Sequence, residues 1–272
     1  MLIPIGIFSL AKGSLTYMHM LELVPSHLRG NLHTISQVVT SSICIISILF
    51  FYFVPNAKLF LPLMGTLCFL HLIPVIRVPE SPRFLYIQER WEELHEAFDT
   101  IAYSNGVATP KLKFRKELYE DETEPLKVIS MMEALKDYTY FKNLFIMTLN
   151  WSVCSLSFYV ISYYANDFPG SMFINVLFMM IADLISGALS YLVFVKWFSL
   201  NHGFSIAYIF VVVITIIYSC FPHLQWVEYF CVFSMRFGIN LNFCLCYFGS
   251  SEIFDVKVRS RSFAVNNYFA RF

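Results

Sequence analysis

Seven long apolar segments constrain this chain more than any other feature of its sequence. Each is close to the ~20 residues that an α-helix needs to cross ~30 Å of hydrocarbon. Only helices and closed barrels satisfy all their backbone groups in lipid, and the segments show no strand-like alternation. The pattern therefore predicts an all-α transmembrane bundle. The segments lie at roughly residues 2–21, 33–54, 59–76, 143–164, 171–195, 203–221 and 226–248, and residues 262–272 have the character of an eighth span's beginning.

Composition excludes several classes of protein. Apolar residues make up 57% of the chain and charged residues 14%, and the mean hydropathy is +0.61, all typical of a membrane protein. The formal net charge is zero, which leaves no electrostatic footprint for nucleic acid. The seven cysteines lack CxxC spacing, so neither a disulfide framework nor a zinc site is indicated. No phosphate-binding loop is present, and we expect no cofactor, no metal and no enzymatic activity.

The charged residues are concentrated in one polar insert. Residues 77–142 hold 10 of the 19 Lys and Arg and 13 of the 19 Asp and Glu. Basic connections between spans alternate with connections poor in Lys and Arg, and the positive-inside rule then places the insert in the cytoplasm. Helical spacing of apolar residues predicts an amphipathic helix over 86–104, ended by Asn105 and Gly106. A second short helix is predicted over 127–138, with a mixed-charge mobile stretch over 107–126.

Two Glu/Arg pairs mark an internal repeat. Glu22 precedes Arg29 by seven residues after the first span, and Glu252 precedes Arg259 by seven residues after the seventh. Seven residues amount to two helical turns, or to a turn and a break, so each pair lies at the end of a helix. A duplicated motif at equivalent connections is typical of transporters built from two related halves.

A third charged motif lies at the beginning of the insert. Prolines bracket Glu80 and Arg83 in the run Pro79-Glu80-Ser81-Pro82-Arg83-Phe84-Leu85. Because proline fixes φ and does not continue a helix, the two charges are expected at the water boundary of the third span.

These motifs, taken in order, resemble those of the major facilitator superfamily. The run at 79–85 is similar to the PESPR-type motif of its organic cation and anion transporters, which are related to sugar porters, and the two Glu/Arg pairs are similar to their paired E-x6-R motifs. Weaker matches follow in the same order along the chain. They are Trp151 to Tyr159, Asn175 with Asp183, Arg236-Phe237-Gly238-Ile239 and Phe269-Ala270-Arg271.

The resemblance implies a partial major-facilitator bundle. The spans correspond to helices four to ten and a piece of helix eleven of a twelve-helix member, so the chain is expected to be part of a larger carrier. Residues 1–78 then form the last three helices of the first half, 79–142 the central cytoplasmic loop, and 143–272 the beginning of the second half. Two departures are the absence of Asp and Arg from the loop at 196–203 and Asp255 in place of the family's usual proline.

Two charges identify a candidate substrate site. Asp183 and Arg236 are the strong charges in the middle of spans of the second half, and a charge there usually faces a cavity or a partner. We expect Asp183 to attract an organic cation, aided by the aromatic faces of Phe158 and Tyr159. Arg236 would either pair with Asp183 or bind an anion. The alternative is a structural Asp183–Arg236 ion pair that never contacts substrate.

The resulting interpretation is a carrier that moves small organic ions, cations favoured, by alternating access. Resemblance assigns gating to the charged motifs, a coupling ion is compatible with it, and the membrane of residence is the plasma membrane or an internal one. A porter for sugars or other uncharged solutes and a non-transporting subunit of a membrane complex remain alternatives. A seven-helix receptor fits the span count but not the duplicated motif. The gating residues are Glu22, Arg29, Glu80, Arg83, Glu252 and Arg259.

Overall fold

The structure, a computed structural model, describes residues 15–107, 130–168, 170–190, 197–221, 225–255 and 258–271. Those residues form helices and connections and no strand. Short 3-10 turns occur at Ser26–Leu28 and Tyr164–Asn166. The helices are α1 (15–23), α2 (Arg29–Phe53), α3 (Ala57–Arg77), α4 (Pro82–Ile87), α5 (Trp91–Ser104), α6 (Met131–Ala134), α7 (Tyr138–Tyr163), α8 (Met172–Leu189), α9 (Leu200–Cys220), α10 (Gln225–Ile253) and α11 (Arg259–Phe269).

Within the described residues, six helices are long and apolar enough to cross a membrane. They correspond to six of the seven predicted spans, which confirms the all-α bundle. Most of the first predicted span, at 2–21, lies outside the described residues, and its described part is helical. The six spans are Arg29–Phe53, Lys58–Arg77, Tyr138–Asn166, Met172–Leu189, Leu200–Cys220 and Trp226–Ile253.

Side-chain caps fix where three of these helices begin. Asn56 accepts a hydrogen bond from the backbone N–H of Lys58 at the beginning of α3, over 3.0 Å. Asp137 accepts one from the N–H of Thr139 at the beginning of α7, over 2.9 Å. Ser171 accepts one from the N–H of Ile174 at the beginning of α8, over 3.3 Å. Each cap satisfies one of the backbone donors that a helix leaves open at its first turn.

Contacts between helices divide the chain into two compact units. The first comprises residues 1–26 and 56–129, and the second comprises 27–55 and 130–272. Helix α2 therefore clusters with the helices that follow the insert. The division at residues 78 and 142 expected from the sequence stays a prediction.

In the first unit, α4 and α5 pack on each other through a small apolar cluster. Leu85, Leu94 and Ala97 are buried there, with Tyr86, Trp91 and Phe98 against them. The single amphipathic helix expected over 86–104 is broken, because α4 ends at Ile87 and α5 begins at Trp91. Glu89 has a φ of 56° in the break, which lets the chain turn so that both helices share the cluster.

The end of α5 agrees with the sequence. The helix ends at Ser104, and Gly106 follows in the left-handed region with a φ of 65°. The second short helix expected over 127–138 is confined to α6, the four residues Met131–Ala134, and residues 127–129 lie outside the described part. The stretch expected to be mobile, 107–126, also lies outside it except for Val107.

Helix α10 is the centre of the second unit. It packs against α7, α8 and α9, while α2 packs against α8 and α11 against α7. Small residues permit two of these close approaches. A Cβ on Gly238 would lie 2.6 Å from Val211 Cγ2 of α9, and a Cβ on Gly187 would lie 3.1 Å from Gln37 Cβ of α2. The arrangement buries one face of α8 and most of α10, and Asn175, Asp183, Arg236 and Asn240 are among the polar residues buried there.

Candidate functional site

A buried ion pair joins α8 to α10. The guanidinium of Arg236 donates two hydrogen bonds to the carboxylate of Asp183, from Nε to Oδ1 and from Nη2 to Oδ2, both over 2.8 Å. Arg236 is 1% exposed and Asp183 is 6% exposed. A two-point pair of this kind is planar and directional, and it makes the site neutral, which lowers the cost of two charges inside a membrane span.

Helix α7 holds the other side of the guanidinium. Arg236 Nη1 donates to the backbone oxygen of Phe158 over 3.0 Å and to Ser162 Oγ over 2.7 Å. The guanidinium carbon also lies 3.5 Å from the centre of the Phe158 ring. Arg236 therefore has one set of partners on α8 and an independent set on α7, including a cation–π contact.

A second set of polar contacts binds the backbone of α8 at Asp183. Asn240, one turn after Arg236 on α10, donates from Nδ2 to the backbone oxygen of Asp183 over 3.1 Å and to Ser186 Oγ over 2.8 Å. Ser186 Oγ donates to the same backbone oxygen over 3.1 Å. These contacts hold α8 and α10 in register at the turn that carries the ion pair.

Aromatic rings extend from the ion pair along the face shared by α7 and α10. The ring of Phe158 stacks on Phe243 at 5.9 Å, and Phe243 contacts Tyr247 at 5.3 Å. Tyr247 in turn contacts Trp151, whose Nε1 donates to Ser250 Oγ over 3.0 Å. Phe158, Phe243 and Tyr247 are half-buried, so part of each ring is open to what lies beside it.

Three of the four expected substrate residues thus meet through Arg236. Arg236 contacts both Asp183 and Phe158, whereas Tyr159 is 46% exposed and lies against the rings of Phe158 and Tyr163. Sequence reasoning missed Ser162 and Asn240. Both could have been found, because each lies four residues after a chosen residue and so on the same helical face.

The gating residues occupy matching positions along their helices. Glu22 and Glu252 each lie in the last turn of a helix, α1 and α10, and Arg29 and Arg259 are the first residues of the following helices, α2 and α11. Arg259 Nε also donates to the backbone oxygen of Phe254 over 3.2 Å, which ties the two helix ends together.

The proline-bracketed motif is held differently. Ser81 begins α4 by accepting a hydrogen bond from the N–H of Phe84 over 3.3 Å, and Pro82 is the first residue of that helix. Glu80 pairs with Arg90 over 3.4 Å, and Arg90 also pairs with Glu93 on α5. The exposed carboxylate of Glu80 is therefore engaged by the turn before α5. The role of all six residues as a gate stays a prediction.

Comparison with known proteins gives two relatives and a family. Human organic cation/carnitine transporter 2 is 21% identical over 196 residues, covering 71% of this chain and 35% of that protein. Bovine solute carrier family 22 member 1 is 24% identical over 184 residues, covering 67% of this chain and 32% of that protein. The chain thus spans about a third of the length of these relatives.

The family match covers nearly the whole chain. The family of sugar (and other) transporters matches residues 3–269 of 272. Members of this family are transporters and not enzymes, and the six apolar helices agree with an integral, multi-pass membrane protein. This chain belongs to the sugar (and other) transporter family of the major facilitator superfamily.

Proposed function

We propose that this chain takes part in moving small organic ions across a membrane by alternating access. The Asp183–Arg236 pair is the observation that carries this proposal, because paired charges buried in the spans are expensive to maintain and are rarely kept without a role. The proposal also draws on the human organic cation/carnitine transporter 2 among the relatives, whose name describes that protein.

Cations are the favoured substrates, and they would bind by replacing Arg236 as the partner of the Asp183 carboxylate. An arriving organic cation would take the Asp183 carboxylate, while Arg236 keeps Ser162 Oγ, the Phe158 backbone oxygen and the Phe158 ring on α7. Because these α7 contacts do not involve Asp183, the guanidinium is not left without partners. Phe158, Tyr159 and the half-buried rings of Phe243 and Tyr247 would then contact the substrate.

An anion would instead replace Asp183 as the partner of Arg236. It would take Arg236 and leave the Asp183 carboxylate buried with Asn240 and Ser186 near its backbone and no cation beside it. That outcome is costlier, because an isolated buried carboxylate has lost its counter-charge. The geometry therefore supports cations over anions.

Uptake of a labelled organic cation, tetraethylammonium, tests the proposal in cells that make the protein. Asp183→Asn keeps the size of the side chain and removes its charge, so we expect uptake to fall by about tenfold or more. Glu92→Gln, which removes an exposed carboxylate on α5, is the matched control and should leave uptake unchanged.

Each remaining outcome identifies an alternative. Unchanged cation uptake in Asp183→Asn would remove this residue from the site and favour a structural ion pair. Uptake of glucose but of no organic ion by the unchanged protein favours a porter for uncharged solutes. No uptake of any solute by the unchanged protein overturns the carrier proposal and favours a non-transporting subunit.

Gating is proposed for the charged helix ends. In this proposal the clusters around Glu22/Arg29, Glu80/Arg83 and Glu252/Arg259 hold the cytoplasmic ends together in one state and separate in the other. The equivalent positions of the two Glu/Arg pairs support it. Reversing Glu80 and Arg83 together should change how readily a cysteine placed near the substrate site is labelled from each side, and an unchanged balance between the two sides contradicts it.

A further inference from the structure

A cavity of about 470 Å³ lies within the first unit, where α3 ends. Its wall combines residues from the end of α3, from the end of α5 and from α1. The apolar part includes Leu23 and Ile73, and the polar part consists of Arg77, Thr100, Ser104 and Asn105. The lining of the cavity is therefore partly apolar and partly polar.

The depth of the cavity relative to a bilayer follows from α3. This helix is apolar from Lys58 to Arg77 and long enough to span the membrane, and Arg77 is its last residue. A terminal arginine of such a span lies at the level of the lipid headgroups, with apolar residues one turn earlier in hydrocarbon. Ile73 thus adjoins acyl chains and Arg77 adjoins headgroups.

The described lining of the cavity carries one positive charge, which matches a ligand with one negative charge. No acidic residue is among the ten described residues that line it, and Arg77 is their one cation. Asn105 supplies an amide donor, while the hydroxyls of Thr100 and Ser104 donate to the backbone oxygens of Glu96 and Thr100 at 2.8 and 2.9 Å. The hydrogens of these hydroxyls are thus used within α5, and the hydroxyl oxygens can still accept hydrogen bonds from a ligand.

Helix ends limit the charge further. Both α3 and α5 end at this cavity, and a helix C-terminus carries a partial negative charge. A phosphomonoester or a headgroup with several phosphates would bring more negative charge than Arg77 neutralises. A phosphodiester carries a single negative charge, which the guanidinium of Arg77 can pair, so of these groups it is the one that the helix C-termini oppose least.

We infer that this cavity binds one phospholipid by its phosphodiester. Arg77 and Asn105 contact the phosphate oxygens, and the glycerol esters and first acyl carbons lie against Leu23 and Ile73. The site holds a structural lipid at the boundary of the span, separate from the Asp183–Arg236 pair and from the transport that we propose for it.

The competing explanation is an arginine that touches lipid phosphates without a built site, as many residues at the ends of spans do. The two explanations differ in how they treat the cavity. Filling it while keeping Arg77 should weaken binding only if the lipid occupies a defined space. Ser104→Trp fills the cavity from an exposed position, and Tyr103→Trp, at a residue that does not line it, is the matched control.

The experiment is native mass spectrometry of the 272-residue chain purified in detergent and titrated with 1-palmitoyl-2-oleoyl-phosphatidylcholine. We expect one retained lipid whose affinity falls about tenfold in Arg77→Gln and in Ser104→Trp. Lys58→Gln, at the other end of α3, and Tyr103→Trp should leave the affinity unchanged. Circular dichroism of each variant checks that its helices are retained.

Four outcomes overturn the inference. The first is equal loss of lipid in Lys58→Gln, and the second is full retention of lipid in Ser104→Trp, which leaves only a surface arginine. The third is equal binding of 1-palmitoyl-2-oleoyl-glycerol, which has the same acyl chains and no phosphodiester. The fourth is displacement of the lipid by millimolar inorganic phosphate, which identifies a site for the free anion.

Discussion

Asp183 and Arg236 pair with each other, and Arg236 also has independent partners on α7. Asp183→Asn leaves Arg236 with its α7 contacts but removes the counter-charge, and we expect a loss of about 3 kcal/mol in the free energy of unfolding. Adding Arg236→Gln to Asp183→Asn removes the unpaired charge and should restore part of that loss. Thermal unfolding in detergent measures both. Equal stability of the single and double variants contradicts a coupled pair.

Gly238 is the second residue whose replacement has a predictable effect. A Cβ there would lie 2.6 Å from Val211 Cγ2 and 2.9 Å from Phe210 Cδ1, so Gly238→Ala must push α9 away from α10. We expect a destabilisation of about 1–3 kcal/mol, the usual range for overpacking. Gly65→Ala on α3 is the control, because no atom lies within 4 Å of its added Cβ. A loss of stability in the control comparable to that in Gly238→Ala would show that the effect is not steric.

At the scale of single residues, the sequence predicts which residues are important better than it predicts their contacts. Hydropathy singles out Asp183 and Arg236, because charges within apolar segments are conspicuous. Whether they bind each other or a substrate depends on the rotation of α8 against α10, a tertiary property that hydropathy does not report. The same holds for Asn240, an ordinary polar residue until its amide is seen to bridge the two helices.

Among the elements, the paired helices α4 and α5 form a small apolar cluster of their own. Leu94 is 1% exposed within it, so Leu94→Asp should separate α5 from α4. Amide hydrogen exchange should then rise over residues 82–104 and stay unchanged in α10, because α10 belongs to the other compact unit. His95→Asp, next to it on α5 and exposed, is the control. Raised exchange in α10 as well would contradict the independence of the two units.

The sequence predicts where helices end better than it predicts breaks within them. The positions of Glu22, Arg29, Glu252 and Arg259 relative to their helices follow from the position of the motifs next to the spans. The break between α4 and α5 does not, because the helical spacing of apolar residues over 86–104 predicts one continuous helix. What ends α4 is the packing of Leu85 on Leu94, which needs a turn that Glu89 accommodates at a φ of 56°. That contact depends on tertiary structure and leaves no local signal.

At the scale of the whole molecule, the family and the number of described spans follow from hydropathy and motif order, because hydropathy and motif order are properties of the linear sequence. The grouping of α2 with α8 does not, because it joins residues far apart in sequence. Orientation in the membrane is a further property of the whole molecule, and it rests on the distribution of Lys and Arg among the connections.

Cysteine labelling tests that orientation. Cys220 is exposed and is the last residue of α9, beside the connection at 222–225, which has no Lys or Arg. The positive-inside rule places that connection outside, so a membrane-impermeant maleimide should label Cys220 on intact cells. Tyr103→Cys, at an 89% exposed position of the polar insert, should be labelled only after the cells are permeabilised.

The other cysteines allow a clean background for this measurement. Cys154, Cys231, Cys244 and Cys246 are buried, and Cys44 and Cys68 are exposed within spans, where an impermeant reagent in water does not reach them. Replacing all six by alanine leaves Cys220 as the reporter, and adding Cys220→Ala to that variant gives the background for Tyr103→Cys. Labelling of Tyr103→Cys from outside, with Cys220 protected, reverses the orientation. In that case the polar insert and its Glu/Arg motif face the exterior, and they are not the cytoplasmic gate that we propose.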